Sequence, residues 1–212
     1  VPGNHMKENL LNAALVLRLM EVQPKKIKEI LKNFSGVPHR LQFFHEWKNS
    51  SGILFKFYND SAATVPDATA AALVAFEEAP VLLAGGTDKI LDFTPLAAAA
   101  NKAKKIFLLE GTGTEKLVKK LDENNVEYEK PCSSLNELLE NLKEYLGKVH
   151  ATDSAGSVVA TDSAHTAGLA CNTQKPAPVP VVFSPGATSF GMFNNEFDRG
   201  EKFMTAVKNL LR

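Results

Sequence analysis

The sequence predicts an α/β domain, a Rossmann-like, open and mostly parallel sheet flanked by helices, with an N-terminal helical pair and a β-hairpin ahead of it. Three observations predict this. Short apolar runs, Val81–Ala84, Ile106–Leu109 and Val179–Phe183, have the length and composition of strands buried on both faces. They alternate with stretches of helical periodicity. Gly85-Gly86 and Gly111 with Gly113 follow two of the runs, where a strand must turn into a helix.

Taken in order, Glu8–Met20 is predicted helical, with Leu11, Ala14, Leu15 and Leu19 at helical spacing. Pro24 suits the first turn of a second helix that ends near Phe34, with Gly36 as a stop. Leu41–Trp47 and Ile53–Tyr58 read as strands joined by the turn Asn49-Ser50-Ser51-Gly52. Ala68–Glu78, Thr94–Ala103, Glu115–Glu123 and Leu135–Leu146 are predicted helices, with a short strand at Val126–Tyr128. Glu196–Leu211 is a final amphipathic helix. Residues 149–180 are rich in Ala, Thr, Ser, Gly and Pro and hold a near-repeat, Ala151-Thr152-Asp153-Ser154-Ala155 and Ala160-Thr161-Asp162-Ser163-Ala164. A low-complexity stretch of this length reads as a flexible insertion before the last strand. Its hydroxyls and His165 read as solvated linker rather than a preorganised site.

Lysine and arginine total 24, aspartate and glutamate 24, so the formal net charge is zero. That argues against nucleic-acid and membrane-surface partners. Two cysteines, Cys132 and Cys171, lie far apart with no CxxC pair, so free thiols in a reducing cytoplasm are expected and a metal site is not. No apolar run has the length of a transmembrane helix, and the opening residues carry no signal-peptide pattern.

In an open α/β sheet, ligands sit outside the carboxyl ends of the strands. There the sequence places Asn59–Thr64, Gly85–Lys89, Glu110–Gly113 and Ser184–Ser189. Glycines admit a ligand close to backbone N–H groups. Lys89 adds a positive charge, and Thr188 and Ser189 add hydroxyls just ahead of the last helix. Asp60 can accept hydrogen bonds from a ribose or an amine, and Arg40 can clamp a phosphate or carboxylate. Gly111-Thr112-Gly113-Thr114 lacks the third glycine of a dinucleotide fingerprint, and no GxxxxGK[ST] phosphate loop occurs. His39-Arg40 reads as a surface turn, His45 as structural, Trp47 as hairpin packing, and Asp198-Arg199 as a helix-surface ion pair.

Five segments, in order, resemble the motifs of the Mur ligase C-terminal domain. Gly3-Asn4-His5 with Asn9 and Asn12-Ala13 is similar to its GxHNxxN-A opening. Gly36–Arg40 is similar to G-[LV]-P-H-R, and Asn59–Thr64 to N-D-S-K-A-T. Gly85–Lys89 with Asp92-Phe93 is similar to GGxxK…DF, and Ser184–Phe190 with Phe193 and Arg199-Gly200 to SPAxxSxDxFxxxExRG. The motif style is nearest the D-glutamate-adding branch.

The resemblance implies that residues 1–212 are the C-terminal domain of an ATP-dependent amide ligase, with the UDP-binding and central ATPase domains outside this chain. It implies the addition of D-glutamate to UDP-N-acetylmuramoyl-L-alanine through an acyl phosphate, in peptidoglycan synthesis. ATP and Mg2+ would be bound mainly by the central domain. By position, Asn9, Arg40 and Asp60 would contact the nucleotide, and Thr64, Lys89, Ser189 and Phe190 would line the D-glutamate pocket. No catalytic residue is assigned, and the isolated chain is expected to be inactive. Ala62 stands where the motif has lysine, and Met6 where asparagine is usual, so positive charge near the acyl phosphate and adenine contacts are reduced. Other readings are a Mur or folylpolyglutamate-type ligase for another amino acid, and a non-catalytic binding domain.

Overall fold

A computed structural model describes residues 2–150 and 177–212. Two helices, α1 (Asn4–Leu19) and α2 (Pro24–Asn33), form an N-terminal arm. Proline at the start of α2 gives up an N–H that has no intrahelical partner there. A hinge follows, in which Gly36 (φ 106°), His39 (φ 59°) and Leu41 (φ 42°) all take left-handed backbone and prevent a third helix. Strands β1 (Gln42–Lys48) and β2 (Leu54–Asn59) make the hairpin. Its turn is pinned by Asn49, which accepts from the Ile53 N–H (2.9 Å) and donates to the carbonyls of Leu146 (2.8 Å) and Val149 (2.9 Å).

The remaining elements alternate: α3 (Pro66–Leu73), β3 (Val81–Gly85), α4 (Thr94–Ala99, extended by a 3-10 turn to Lys102), β4 (Lys105–Leu109), α5 (Thr112–Glu123), α6 (Leu135–Lys148), β5 (Val179–Phe183) and α7 (Glu196–Leu210). The sheet order is β1-β2-β5-β3-β4. Only the edge pair β1–β2 is antiparallel; β2, β5, β3 and β4 run parallel. Side chains therefore alternate between two cores. Val81, Leu83, Phe107, Leu109, Val181 and Phe183 pack with α6 and α7. Leu82, Ala84, Ile106 and Leu108 pack with α3, α4 and α5. Burial on both faces is why these strands read as unbroken apolar runs.

Four expectations change. α1 starts at Asn4 rather than Glu8, and its apolar residues Leu11, Leu15 and Leu19 are exposed. α3 ends at Leu73, five residues short of Glu78. Val126–Tyr128 is not a strand; the chain instead meets β4 through Glu129 and Cys132, whose N–H groups donate to Ile106 and Leu108. Pro131 between them has no N–H, so a regular ladder cannot form. Of the 149–180 stretch, Val149 is buried and Val179-Pro180 belong to β5. The near-repeat and His165 lie outside the described residues. Among the described residues no helix is long and apolar enough to cross a membrane.

Candidate functional site

The four parallel strands deliver four loops to one edge, and the loops bond to each other. Thr87, after β3, and Thr188, after β5, exchange N–H···O bonds of 3.0 and 3.1 Å, and the Thr188 hydroxyl donates to the Thr87 carbonyl at 2.8 Å. The Thr87 hydroxyl donates to the Phe190 carbonyl. Gly111, after β4, lies so close to the Gly86 backbone that a Cβ would stand 2.3 Å from the Gly86 oxygen. Any side chain there would push the loops apart, which accounts for the glycine.

The loops enclose a cavity of about 320 Å³ lined by Gly86, Gly111, Ser189, Phe190 and Arg199, among others. Ser189 is only 4% exposed, and its hydroxyl has no partner among the described residues. Its carbonyl accepts from the Phe193 N–H, which fixes the turn that holds it. Phe190 is 63% exposed at the mouth. A larger, open groove of about 900 Å³ runs between α6 and α7 and includes none of the expected site residues.

Arg199 is the residue that sequence reasoning misplaced. It is not a surface ion-pair member: it is 1% exposed, and Asp198 pairs with Lys202 instead. The Arg199 guanidinium donates to the Ser61 hydroxyl (Nε, 3.0 Å), the Ser61 carbonyl (Nη2, 2.9 Å) and the Ala187 carbonyl (Nη1, 3.1 Å). It thereby ties the loop after β2 to the loop after β5. Burial lowers its pKa to about 10, leaving it charged at neutral pH.

His39 is likewise not a surface residue. It is buried against α7, where Gly200 makes room: a Cβ there would lie 2.3 Å from His39 Nδ1. His39 Nδ1 accepts from Asn59 Nδ2 at 2.9 Å, so its Nε2 carries the proton and faces Glu201 at 3.4 Å. The Ala62 N–H donates to the His39 carbonyl, anchoring the hinge on the loop after β2.

Asp60 is 4% exposed, with its carboxylate accepting from the Leu41 N–H (3.0 Å) and the Ser184 hydroxyl (2.7 Å). Burial outweighs these bonds and the nearby charge of Arg40, raising its pKa to about 6. Arg40 is half-buried beside it and also near His5 on α1, whose pKa is lowered by burial and then by Arg40. Asn9 is exposed on α1, one turn beyond His5. The structure thus brings Arg40 to Asp60, and Ser189 to Phe190. Thr64 is half-buried between β2 and α3, and Lys89 is exposed beyond Thr87; neither lines the cavity. His45 bonds the Leu211 carbonyl at 2.8 Å and Trp47 stacks on Phe55, both structural as expected. Among the described residues no cluster of three His, Cys, Asp or Glu could hold a metal ion.

An open, mostly parallel sheet whose carboxyl edge carries interlocked, glycine-rich loops around a cavity defines an α/β domain of the class in which ligands sit outside the carboxyl ends of the strands. Its relatives narrow this. No protein-family model matches the chain. It is 38% identical over 184 residues to the UDP-N-acetylmuramoylalanine--D-glutamate ligase of Treponema pallidum (strain Nichols), covering 87% of this chain and 28% of that protein. It is 34% identical over 208 residues to the ligase of the same name from Roseiflexus sp. (strain RS-1), covering 98% of this chain and 38% of that one. The fold matches that of the UDP-N-acetylmuramate-alanine ligase of Thermotoga maritima, with a TM-score of 0.60 at 17% identity over 99% of this chain and 39% of that one. Over nearly its whole length the chain is thus similar to ligases of this name, and it spans less than half the length of the relatives it matches.

Proposed function

We propose that the chain is the carboxyl-terminal domain of a cytoplasmic ATP-dependent ligase that adds D-glutamate to UDP-N-acetylmuramoyl-L-alanine in peptidoglycan synthesis. In this reading the cavity under Ser189 and Phe190 is the amino-acid pocket, and the surface formed by Asn9, Arg40 and Asp60 borders the nucleotide. The observation that carries it is the hydroxyl of Ser189, a buried residue of the cavity lining, which has no hydrogen-bond partner among the described residues. A buried polar group left unpaired costs roughly 1–3 kcal/mol, which a ligand accepting that hydrogen bond would recover. The names of the relatives supply the amino acid.

The residues present fit a nucleotide in part. Arg40 is half-buried with its charge near Asp60 and His5, and no ion pair among the described residues includes it. Asp60 already accepts two bonds and is nearly covered, so a ribose contact needs the hinge to shift. ATP, when bound, supplies the phosphoryl group that activates the acceptor carboxylate, with Mg2+ held mainly by the rest of the ligase. This domain's task is to hold the incoming amino acid. Lys89 and Thr64 stand outside the cavity and reach the amino acid only when the pocket is completed against the other domains.

The test is an NMR titration of the 212-residue chain with D-glutamate, using L-glutamate as control. D-selective, saturable shifts of the amides around Ser189 are expected. Half a site gives affinity near millimolar, roughly −4 kcal/mol. Equal shifts with both enantiomers, or none from a well-dispersed spectrum, would refute the reading of the cavity.

A further inference from the structure

Arg199, on α7, lines the cavity with a charge that no ion pair among the described residues neutralises. A guanidinium has five N–H donors. Three are engaged, and all three acceptors are neutral oxygens, on Ser61 and Ala187. No ion pair among the described residues includes Arg199, and Glu196 acts on it only at longer range. Two donors and a full positive charge are therefore left over in a side chain that is 99% buried yet lines a cavity. Burying an ion without a counter-ion is expensive. Such an arrangement is sustained where a ligand brings the counter-charge.

The surroundings agree. The Ser189 hydroxyl in the same cavity is also without a partner among the described residues. Gly86, which lines the same cavity, lies against Arg199: a Cβ there would stand 3.6 Å from Nη1. Gly111, the residue before α5, lines the cavity too, and the positive end of that helix favours an anion. The one acidic residue in the lining, Glu110, is exposed at the rim.

We propose that the cavity is a carboxylate site in which Arg199 supplies the charge and Ser189 a hydrogen bond, making Arg199 a specificity-determining residue for an acidic or zwitterionic ligand. This rests on the reading of the cavity as the amino-acid pocket and adds the group that recognises the acid. Arginine suits the task because its fork can serve the protein and a ligand oxygen at once.

Acetate is the probe, since it carries a carboxylate and nothing else. In the 212-residue chain, sodium acetate is expected to shift the amides of Gly86, Gly111 and Ser189 saturably, while sodium chloride at equal ionic strength does not. Arg199→Met should weaken acetate at least tenfold. Because that variant also loses the ties to Ser61 and Ala187, Arg199→Lys and Ser189→Ala serve beside it. The lysine variant should keep measurable acetate binding, and the alanine variant should weaken it severalfold with the fold intact. No acetate shifts in the unaltered chain, or unchanged affinity in Arg199→Met or Ser189→Ala, would overturn the proposal. Acetate binding without D-glutamate binding would leave the carboxylate site standing and remove the amino-acid reading. D-glutamate binding without acetate would do the reverse.

Discussion

The helices α1 and α7 both carry apolar residues at helical spacing and meet opposite fates. α7 buries Phe203, Met204 and Val207 against the sheet, where Phe203 lies 4.5 Å from the Phe183 ring and 5.4 Å from Phe44. α1 buries only Met6, while Leu11, Leu15, Val16, Leu19 and Met20 are 54–76% exposed. Periodicity of apolar residues states that a helix has a face to cover; it does not state what covers it. Among the described residues the body finds its cover within the chain, and the arm does not. Between them lies a hinge whose left-handed residues are anchored by His39 and Asp60 to the loop after β2.

The largest expected effect tests this contrast directly. Phe203→Ala should cost about 3–5 kcal/mol, because a large cavity opens between the sheet and α7. Leu15→Ala should change stability by no more than about 0.5 kcal/mol, since the side chain is already in water. Urea unfolding of both variants measures the pair. Equal costs would mean that the arm is packed in solution, and the contrast would fail.

A smaller effect concerns the anchor. Asp60 titrates near 6 in the fold against an ordinary value of 3.8, with burial as the first cause. The native state therefore holds a proton that the unfolded chain has released between those values. Stability contributed by the protonated acid is present below about pH 4 and is lost as pH rises to about 6, flat beyond. The shift of about two pH units corresponds to about 3 kcal/mol. Asp60→Asn keeps an acceptor for the Leu41 N–H and has no such dependence. Its stability relative to the unaltered chain should rise by up to about 3 kcal/mol between pH 4 and 7. A pH-independent difference in denaturant midpoints would show that the carboxylate is not held protonated.

Much of this could be read in the sequence. The strands β3, β4 and β5 were legible because strands buried on both faces have no polar positions to blur them. The loops at their ends were legible as glycine and hydroxyl clusters, and two of the seven expected site residues, Ser189 and Phe190, line the cavity. Lys89 and Thr64 were placed by motif, and a motif fixes a position along the chain without fixing which cavity the side chain enters. The strand expected at Val126–Tyr128 failed because apolar content gave no weight to Pro131. Arg199 was missed because a charged residue on a helix is usually solvated. A signal was nevertheless there: Arg199, Phe203 and Val207 fall at i, i+4 and i+8, a spacing that sets the arginine on the apolar face of α7.

That face explains the smallest expected effect, which separates Arg199 from the charge next to it. Asp198 and Lys202 form an i,i+4 pair at 2.8 Å on the outer face of α7, with Lys202 half in water. The carboxylate also accepts from the Asn194 N–H, and these bonds, the Lys202 one foremost, hold its pKa below the usual carboxylate range. Solvent screens such a pair, and the side chains lose entropy in forming it. Lys202→Ala should leave the denaturant midpoint unchanged within error and leave ligand-induced shifts at Ser189 unaltered. A clear loss of either would mean that charge on the outer face reaches the cavity, and that the pocket's potential does not come from Arg199 alone. Two neighbouring residues of opposite charge would then share one function, although Arg199 is buried and Lys202 stands half in water.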